Sequence, residues 1–352
     1  MSSRSSGISY DFRCEIFYGF RIPDERELVP TEKICLICGS NLSLDCMRKR
    51  GSFPTHILVF LGPAVLIYTV FMIYPLCDSL WLSLNNKGST SGQMFVGIQN
   101  YLTLFSQQRW SAPFWNALRN NVVFFVIHMV VQNPIGLLLA ALLARRIRGS
   151  AIYRTIIFTP TILSVVIVGF VWKLILLPSW GISRALFGLV GLSSLGDYPW
   201  LGTESTTLIT LSLISVWQNV GIPMMLFLAA LIRIPDELME AARVDGASGW
   251  KIFWKIQFPL ILPTVGLIAV LTFVGNFNAF ELIYVTQGAL AGPDFASDIL
   301  GTFFFRTFFG YQLQPADPFM GSTVAGVMLV IILIGVLIYL FGWQRRLQQI
   351  QF

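Results

Sequence analysis

Charged residues are scarce in this sequence. Asp, Glu, Lys and Arg together make up 12% of the 352 residues, whereas a typical soluble domain carries about 25%. Because 55% of the residues are hydrophobic, the composition excludes an ordinary soluble enzyme, a disordered protein and a nucleic-acid-binding protein. Cysteine is also rare, and its odd count of five does not suit a secreted disulfide framework. The composition is that of a multi-pass membrane protein.

Long uncharged stretches predict the membrane-spanning segments. A spanning helix needs roughly 20 apolar residues with few charges. The stretches between charged residues predict six helices, near residues 56–77, 120–143, 155–177, 205–231, 262–286 and 321–342. Lys173, near the end of the third helix, can extend its ammonium group to the lipid headgroups. The apolar run Ala185–Gly196 is too short to span and predicts an interfacial helix. The predicted fold is therefore an all-α membrane protein with six transmembrane helices.

The basic residues are distributed unevenly between the two sides of this predicted bundle. Thirteen lie on one side: Arg48, Lys49, Arg50, Arg145, Arg146, Arg148, Arg154, Arg233, Arg243, Lys251, Lys255, Arg345 and Arg346. Four lie on the other side: Lys87, Arg109, Arg184 and Arg306. Because basic residues concentrate in cytoplasmic loops, this asymmetry predicts that both termini are cytoplasmic.

The first 50 residues differ from the rest of the chain and predict a cytoplasmic tail before a transmembrane domain over residues 51–352. This tail holds 8 basic residues, 7 acidic residues and four of the five cysteines. No signal peptide is evident, since the first apolar helix follows the tail and has no small-residue cleavage site. Two interpretations stay open: a reduced, poorly ordered tail, and an upstream extension that precedes a start at Met47.

Metal ligands are few in the sequence. The tail segment Cys35-Leu-Ile-Cys38 has the spacing of half a zinc site, so a zinc-binding tail is a further alternative. The other two cysteines of the tail do not form the second close pair that such a site needs. His56 and His128 have no carboxylate or cysteine neighbours at ligand spacing, which favours packing or interfacial roles over metal binding.

The segment between the fourth and fifth predicted spans has the pattern of two short helices joined by a turn. Pro235 suits the first position of a helix, and Asp236 and Glu237 suit the positive end of its dipole. Gly246 allows a positive φ at the turn that follows. The second amphipathic piece carries Trp250, Phe253, Trp254 and Ile256 and is expected to end before Pro259. The segment is therefore predicted to form a rigid cytoplasmic knob that a soluble partner can bind.

This segment also matches a known pattern. Glu240-Ala241-Ala242 is followed after three residues by Gly246, and then by Ile256, Pro259 and Pro263. On this evidence, residues 234–263 resemble the EAA loop of permease subunits of bacterial ABC importers. The longer pattern Ile-Pro-x-Glu-Leu-x-Glu-Ala-Ala-x-x-Asp-Gly-Ala is the form seen in carbohydrate-importer permeases similar to the maltose-type first subunit. The resemblance covers roughly residues 55–345. A departure follows the fifth span, where the family's Thr-x-Gly-Gly-Pro is replaced by Thr286-Gln-Gly-Ala-Leu-Ala-Gly-Pro293.

The resemblance implies the type I permease fold of ABC importers and a set of partners. These are a second permease subunit, an ABC ATPase dimer on the cytoplasmic face and an extracytoplasmic solute-binding protein, in a bacterial inner membrane. The sequence has no Gly-x-x-x-x-Gly-Lys-Ser/Thr phosphate loop. The chain is therefore expected to be non-catalytic and without a cofactor of its own, with ATP and Mg²⁺ bound by the partner ATPase. No nucleic-acid partner is expected.

Candidate functional residues fall into two sets. By resemblance, coupling to the ATPase is assigned to Glu240, Ala241, Ala242, Asp245, Gly246, Ala247, Phe253 and Pro259. A solute path needs polar groups at membrane depth, and its candidates are Gln218, Asn219, Asn276, Asn278, Glu281 and Tyr284. By resemblance, Asn276-Phe277-Asn278 corresponds to the stretch that contacts sugar in maltose-type permeases. Interhelical hydrogen bonding is the alternative role for the amides, and pairing with a cation of the partner subunit is an alternative for Glu281.

The expected function is half of the translocation path for a di- or oligosaccharide that an external binding protein delivers. Solutes of the glycerol-3-phosphate or polyol type are the alternative within this class, and the sequence does not decide which permease of the pair contacts the solute. A stand-alone secondary transporter or channel would predict paired repeats or more intramembrane ionisable residues. A membrane-embedded enzyme would need clustered His, Asp, Glu or Ser within the spans, and the sequence has no such cluster.

Overall fold

The computed structural model of the chain describes residues 55–87, 92–145, 148–178, 182–189, 191, 196–312 and 314–344, without the side chains of residues 55–58, 186–187 and 344. The predicted tail, its cysteine pair and the alternative start at Met47 lie outside these residues. The side chain of His56 and residues Arg146, Arg345 and Arg346 lie outside them as well. Two compact units divide after Val65, and the described part of the first is the beginning of one helix. The second unit, Leu66–Phe352, contains the remaining elements.

The described chain is almost entirely helical. In chain order the helices are α1 (Thr55–Tyr68), α2 (Tyr74–Ser83), α3 (Gln99–Ser106), α4 (Gln108–Ile127), α5 (Asn133–Leu143), α6 (Ser150–Ile162), α7 (Val165–Ile175), α8 (Ile182–Leu189), α9 (Glu204–Asn219), α10 (Gly221–Ile232), α11 (Asp236–Val244), α12 (Gly249–Ile252), α13 (Phe258–Phe277), α14 (Glu281–Gln287), α15 (Leu300–Phe309) and α16 (Pro318–Ile338). Short π-helical segments lie at Thr69–Ile73, His128–Gln132, Phe253–Gln257 and Tyr339–Gln344, and a 3₁₀ turn lies at Pro293–Phe295. Strands β1 (Asn85–Lys87) and β2 (Gln93–Phe95) form an antiparallel hairpin, which the all-helical prediction did not include.

Six candidate membrane spans are present in the described residues, as predicted. Four are single stretches, Val59–Ser83, Gln108–Leu143, Gly249–Gln287 and Pro318–Trp343, and two are bent pairs, α6 with α7 and α9 with α10. The predicted boundaries of two spans are wrong. The second span begins at Gln108 rather than near residue 120, because an amphipathic stretch extends the same helix outward. The fifth begins at Gly249. The interfacial helix predicted at 185–196 is α8, which begins three residues earlier, at Ile182.

The third predicted span, residues 155–177, is not one straight helix. Helices α6 and α7 meet at an angle of 93° around Leu163 and Ser164. Pro160 lies in the last turn of α6, and its missing N–H removes a helical hydrogen bond. Carbonyls at the two helix breaks have partners across the interface with α9. The side-chain amide of Gln218 donates to the carbonyl of Leu163 (3.1 Å), and the Thr161 hydroxyl donates to the carbonyl of Gln218 (2.8 Å). Backbone groups freed at membrane depth are thereby satisfied within the protein.

Three apolar clusters hold the spans together within the described part of the chain. One joins α3, α4, α13, α15 and α16 around Phe114 and Phe303, and a second joins α5, α10 and α13 around Phe227. The third lies between α7, α9 and α14 around Leu211. Close helix contact in the second cluster depends on Gly136, where an added Cβ would lie 3.1 Å from the backbone of α10. Many large apolar side chains on the outside of the spans are exposed in the isolated chain, which suits contact with lipid.

Candidate functional site

A partly open cavity of about 610 Å³ lies among the spans. Its wall comes from the second span, α7, α9, α10 and the fifth span, and consists of Phe124, His128, Gln132, Val165, Ser215, Gln218, Asn219, Ile222, Pro223, Leu226, Ile268, Leu271, Thr272, Gly275, Asn276, Asn278, Ala279, Phe280, Glu281, Leu282 and Ile283. Most of these side chains are apolar. The polar ones are amides, hydroxyls, one imidazole and one carboxylate, which is the pattern of a site for a polar, mostly uncharged molecule.

Five of the six residues predicted for a solute path line this cavity: Gln218, Asn219, Asn276, Asn278 and Glu281. Tyr284 does not line it, and instead its ring stacks on Phe280 with a centroid distance of 5.0 Å. Sequence reasoning missed His128, Gln132, Ser215 and Thr272 as members of the same wall. These four residues could have been recognised in the sequence, since each is a polar residue inside an apolar stretch. The roles of all these residues in binding a solute stay predictions.

The fifth span is broken beside the cavity. Helix α13 ends at Phe277, and α14 begins at Glu281 after three residues without helical geometry. The backbone of Phe280 (φ −153°, ψ −53°) lies outside the helical region. Glu281 therefore stands in the first turn of α14, where the positive end of the helix dipole favours a carboxylate. The break brings Asn278, Ala279 and Phe280 into the cavity wall.

Two asparagines of α4 fix the position of this break. The amide nitrogen of Asn121 donates to the carbonyl of Asn276 (3.0 Å), and its amide oxygen accepts from the backbone N–H of Leu300 (3.0 Å). Asn120 donates to the carbonyls of Ala296 (3.1 Å) and Asp298 (2.9 Å). Both side chains are buried. The broken span and the segment that follows it are thus attached to the second span by hydrogen bonds to backbone groups.

The amide side chains of the cavity bond mainly to backbone groups of the spans. The amide nitrogens of Asn219, Asn276 and Asn278 each donate to the carbonyl four residues earlier in their own helix, at 2.9, 2.6 and 3.0 Å. Among the described residues, the buried side-chain oxygens of Gln132 and Gln218 accept no hydrogen bond. Both oxygens are enclosed by protein atoms rather than exposed to the cavity, so they are not acceptors for a solute in this conformation.

His128 and Ser215 form a further polar pair in the wall. The Nδ1 atom of His128 lies 2.7 Å from the carbonyl of Phe124, and since a carbonyl only accepts, Nδ1 is the donor. Its Nε2 atom lies 3.0 Å from the Ser215 hydroxyl. Both ring nitrogens therefore have partners within the chain. This finding agrees with the packing role that the sequence favoured for His128.

A buried ion pair lies in the segment after the fifth span. The Arg306 guanidinium donates to Asp298 at 2.7 Å and to the carbonyl of Ala289 at 2.8 Å, and Thr302 donates to the same carboxylate at 2.7 Å. Phe295 places its ring 4.7 Å from the guanidinium carbon. Burial raises the pKa of the Asp298 carboxyl, while the hydrogen bond and charge of Arg306 act against that rise. The pair joins the two ends of the segment between α14 and α15.

The loop between α10 and α13 contains the turn predicted at Gly246. Helix α11 ends in a Schellman motif, in which the N–H of Ala247 donates to the carbonyl of Ala242 (2.9 Å) and the N–H of Gly246 donates to that of Arg243 (3.0 Å). Gly246 has φ +76°, a conformation that residues with a side chain rarely adopt. The predicted pair of short helices is present as α11 and α12. Pro235 precedes the first helical residue, Asp236, rather than occupying that position itself.

The prediction that the second piece ends before Pro259 is wrong. Helix α12 continues through the π-helical segment Phe253–Gln257 directly into α13, so helical geometry is unbroken from Gly249 to Phe277. Pro259 is tolerated because it lies in the first turn of α13, after a π-helical register change. A displacement of the loop therefore acts directly on the fifth span.

One side of the loop is exposed and the other packs on the bundle. Ile234, Ala242 and Ile252 are buried. The remaining predicted coupling residues are exposed or partly exposed: Glu240, Ala241, Asp245, Gly246, Ala247, Phe253 and Pro259. Large apolar side chains are also on the surface, and the most exposed are Val244 (88%) and Trp250 (72%). Exposed apolar groups of this size, next to charges, are typical of a protein-binding surface.

Comparison with known proteins assigns the family. Residues 132–349 match the family described as "Binding-protein-dependent transport system inner membrane component". The chain belongs to this family of ABC transporter permeases. It is 34% identical over 278 residues to the "Probable ABC transporter permease protein YurN" of Bacillus subtilis (strain 168), an alignment that covers 78% of this permease and 91% of that protein. The permease is a multi-pass inner-membrane transport subunit, as the sequence predicted.

Two further relatives bear on fold and substrate. The alpha-glucoside transport system permease protein AglF of Rhizobium meliloti (strain 1021) is 30% identical over 288 residues, which is 80% of each chain. A solved bacterial ABC transporter involved in the import of the acidic polysaccharide alginate has a similar fold, with a TM-score of 0.67 over 82% of this permease and 96% of that chain. At 21% sequence identity, that structure supports the fold alone. The type I permease fold predicted from the EAA loop is confirmed.

Proposed function

We propose that this permease forms half of the translocation path for a carbohydrate, and that the cavity beside the broken fifth span is the part of the path that contacts the solute. The observation that carries the proposal is the set of polar side chains in the wall. Nine polar side chains line a cavity that is otherwise apolar, and the asparagine amides among them offer both donors and acceptors. A sugar supplies many hydroxyl donors to such a wall.

The names of relatives support the same substrate class. AglF is named for alpha-glucosides, and a further relative from Thermococcus litoralis, 28% identical over 279 residues, is named as a trehalose/maltose transport system permease. Phe280, with the rings of Tyr284 and Phe305 behind it, offers an aromatic surface at the cavity wall on which a sugar face can stack. A di- or oligosaccharide is therefore the proposed solute.

The energy for transport is proposed to come from partner subunits. The exposed side of the 234–258 loop would dock in a cleft of an ABC ATPase, and a second permease would complete the path. In this arrangement both termini are cytoplasmic, and a solute-binding protein docks on the opposite face. The permease itself is non-catalytic and binds no cofactor, while the ATPase binds ATP and Mg²⁺. Closure of the ATPase dimer would move the loop together with α13, which continues from it without a break. This movement would shift the bundle between its two states.

The direct test is reconstitution of the permease in proteoliposomes with the second permease, the ATPase and the binding protein. We expect uptake of an oligosaccharide that stops when ATP is omitted or when the ATPase is left out. The permease should also co-purify with the ATPase after detergent extraction. Solute movement by the permease alone would contradict the proposal and favour a stand-alone transporter or channel.

Asn278→Ala is expected to raise the half-saturating solute concentration for ATP-driven uptake about threefold to tenfold, since one or two hydrogen bonds of roughly 0.5–1.5 kcal/mol each are lost. Asn278 is exposed at the end of α13 and lines the cavity, so its removal leaves the core intact. Uptake kinetics in proteoliposomes measure the change. Asn86→Ala, in the exposed β-hairpin, is the matched control and should leave the half-saturation unchanged. An unchanged value for Asn278→Ala would remove this residue from the solute path.

A further inference from the structure

The charges around the cavity are unbalanced. Among the described residues that line it, Glu281 is the only carboxylate and none is Lys or Arg. Glu281 is exposed, and it forms no ion pair with any described residue. The wall therefore has one negative charge without a compensating positive one.

Arg306 and His128, which can carry a positive charge, have partners within the chain. Arg306 is 3% exposed, and its guanidinium is bound to Asp298 and to the carbonyl of Ala289. His128 lines the cavity, but both of its ring nitrogens already have partners within the chain. Neither side chain is available to receive an anionic group of a solute.

From this arrangement we infer that Glu281 determines the charge selectivity of the path, so that uncharged and cationic sugars enter the cavity and anionic sugars are rejected. The inference rests on the proposed function, since it specifies the class of carbohydrate. Inside a cavity with apolar walls, a fixed charge acts over a longer distance than it does in water. Uronic-acid oligosaccharides and sugar phosphates are the excluded class. The acidic polysaccharide named for the alginate transporter is thus not a model for the solute of this permease.

A cysteine placed in the cavity can report the electrostatic potential there, and this measurement does not require that the solute be identified. Gly275 lines the cavity, and a Cβ added there meets no atom within 4 Å. Gly275→Cys is therefore expected to fold normally and to present a thiol to the cavity. Gly249 also has open space around a Cβ and lies far along the same helical stretch, so Gly249→Cys is the matched control. Both variants are made after the five native cysteines are replaced by serine.

The experiment uses the whole importer in proteoliposomes and compares two methanethiosulfonate reagents of similar size, one cationic and one anionic. The reaction rate of each with the reporter is divided by its rate with a small free thiol. We expect the cationic-to-anionic ratio at Gly275→Cys to fall about tenfold, equivalent to about 1.4 kcal/mol, when Glu281 is changed to Gln. Glu281→Asp, which keeps the charge, should retain the ratio. The ratio at Gly249→Cys should not respond to Glu281→Gln.

Protection of the same reporter by sugars tests the substrate class. Glucose, glucosamine and galacturonic acid oligosaccharides of equal length are added before the anionic reagent. The uncharged and the amino sugars should slow labelling, while the uronic-acid sugar should do so only in the Glu281→Gln variant. If no sugar protects but the reagent ratio still falls with Glu281→Gln, the charge assignment stands and the proposed carbohydrate function fails.

Two results would overturn the inference itself. One is a reagent ratio that stays the same in Glu281→Gln, which would show that a cation of the partner subunit neutralises the carboxylate in the assembled importer. The other is equal protection of the wild-type cavity by the uronic-acid and the uncharged oligosaccharide.

Discussion

Gly246→Val is expected to lower ATP-driven uptake about tenfold while the protein still inserts in the membrane at its normal level. The φ of +76° at Gly246 is the reason, because a β-branched residue is strained in this region by roughly 1–2 kcal/mol. The strain is relieved when the Schellman turn opens and α12 changes its direction relative to α11. Since α12 continues into the fifth span, the exposed docking surface on α11 then no longer has a fixed orientation relative to that span. Uptake and ATP hydrolysis stimulated by the loaded binding protein both measure the effect.

Two other variants separate this effect from a general loss of structure. Gly249→Val places the same side chain three residues away, in open space at the start of α12, and should retain most of the uptake. Gly246→Asn should also retain most of it, because Asn tolerates a positive φ. Normal uptake by Gly246→Val would show that the turn does not transmit the ATPase cycle. Equal losses in Gly246→Val and Gly249→Val would point to a contact surface rather than to the turn.

The local features of the molecule were predictable from sequence. A Schellman turn depends on one glycine and its immediate neighbours, so the pattern around Gly246 was sufficient to locate it. The cavity residues were largely predictable for a different reason. An amide such as Gln218 or Asn278 in an apolar stretch is costly unless it has a role, so its presence alone marks a site. The overlooked members, Gln132 and Thr272, follow the same rule and could have been included.

The bends and breaks of the spans were not predictable to the same degree. Pro160 was visible, but a proline in a spanning helix gives either a mild kink or a sharp bend, according to which neighbours satisfy the freed backbone groups. Here Gln218, 55 residues away from Leu163 in the chain, stabilises a sharp bend. Pro259 shows the opposite outcome. It was expected to stop a helix, and the π-helical segment before it allows the helix to continue.

The contacts around the broken fifth span depend on residues far apart in sequence. Asn120 and Asp298 are 178 positions apart, and no local pattern connects them. Arg306 illustrates the difficulty well, because its sequence position indicated only a basic residue on the outer side of the membrane. The structure places it 3% exposed beside a carboxylate that is fully buried. Only the packing of α15 against the preceding segment brings these two charges together.

Replacement of Arg306 by Met is expected to lower the free energy of unfolding by about 3–5 kcal/mol, because it leaves a buried carboxylate without its partner. Asp298 is 0% exposed and accepts hydrogen bonds from Arg306 and Thr302. Met keeps much of the packing volume but removes the charge, the bond to the carbonyl of Ala289 and the contact with Phe295. Denaturant titration of the purified permease in detergent, followed by helical circular dichroism, measures the loss.

The chain contains its own control for this prediction. Arg184 and Asp197 form an ion pair at 3.1 Å whose side chains are 63% and 50% exposed, and Arg184→Met should cost no more than about 1 kcal/mol. The double variant Asp298→Leu with Arg306→Met should recover part of the lost stability, since it no longer buries an unpaired charge. Similar costs for Arg184→Met and Arg306→Met would contradict the interpretation of Asp298–Arg306 as a desolvated pair. If the double variant is less stable than Arg306→Met alone, the bonds from Thr302 and to Ala289 matter more than the charge balance.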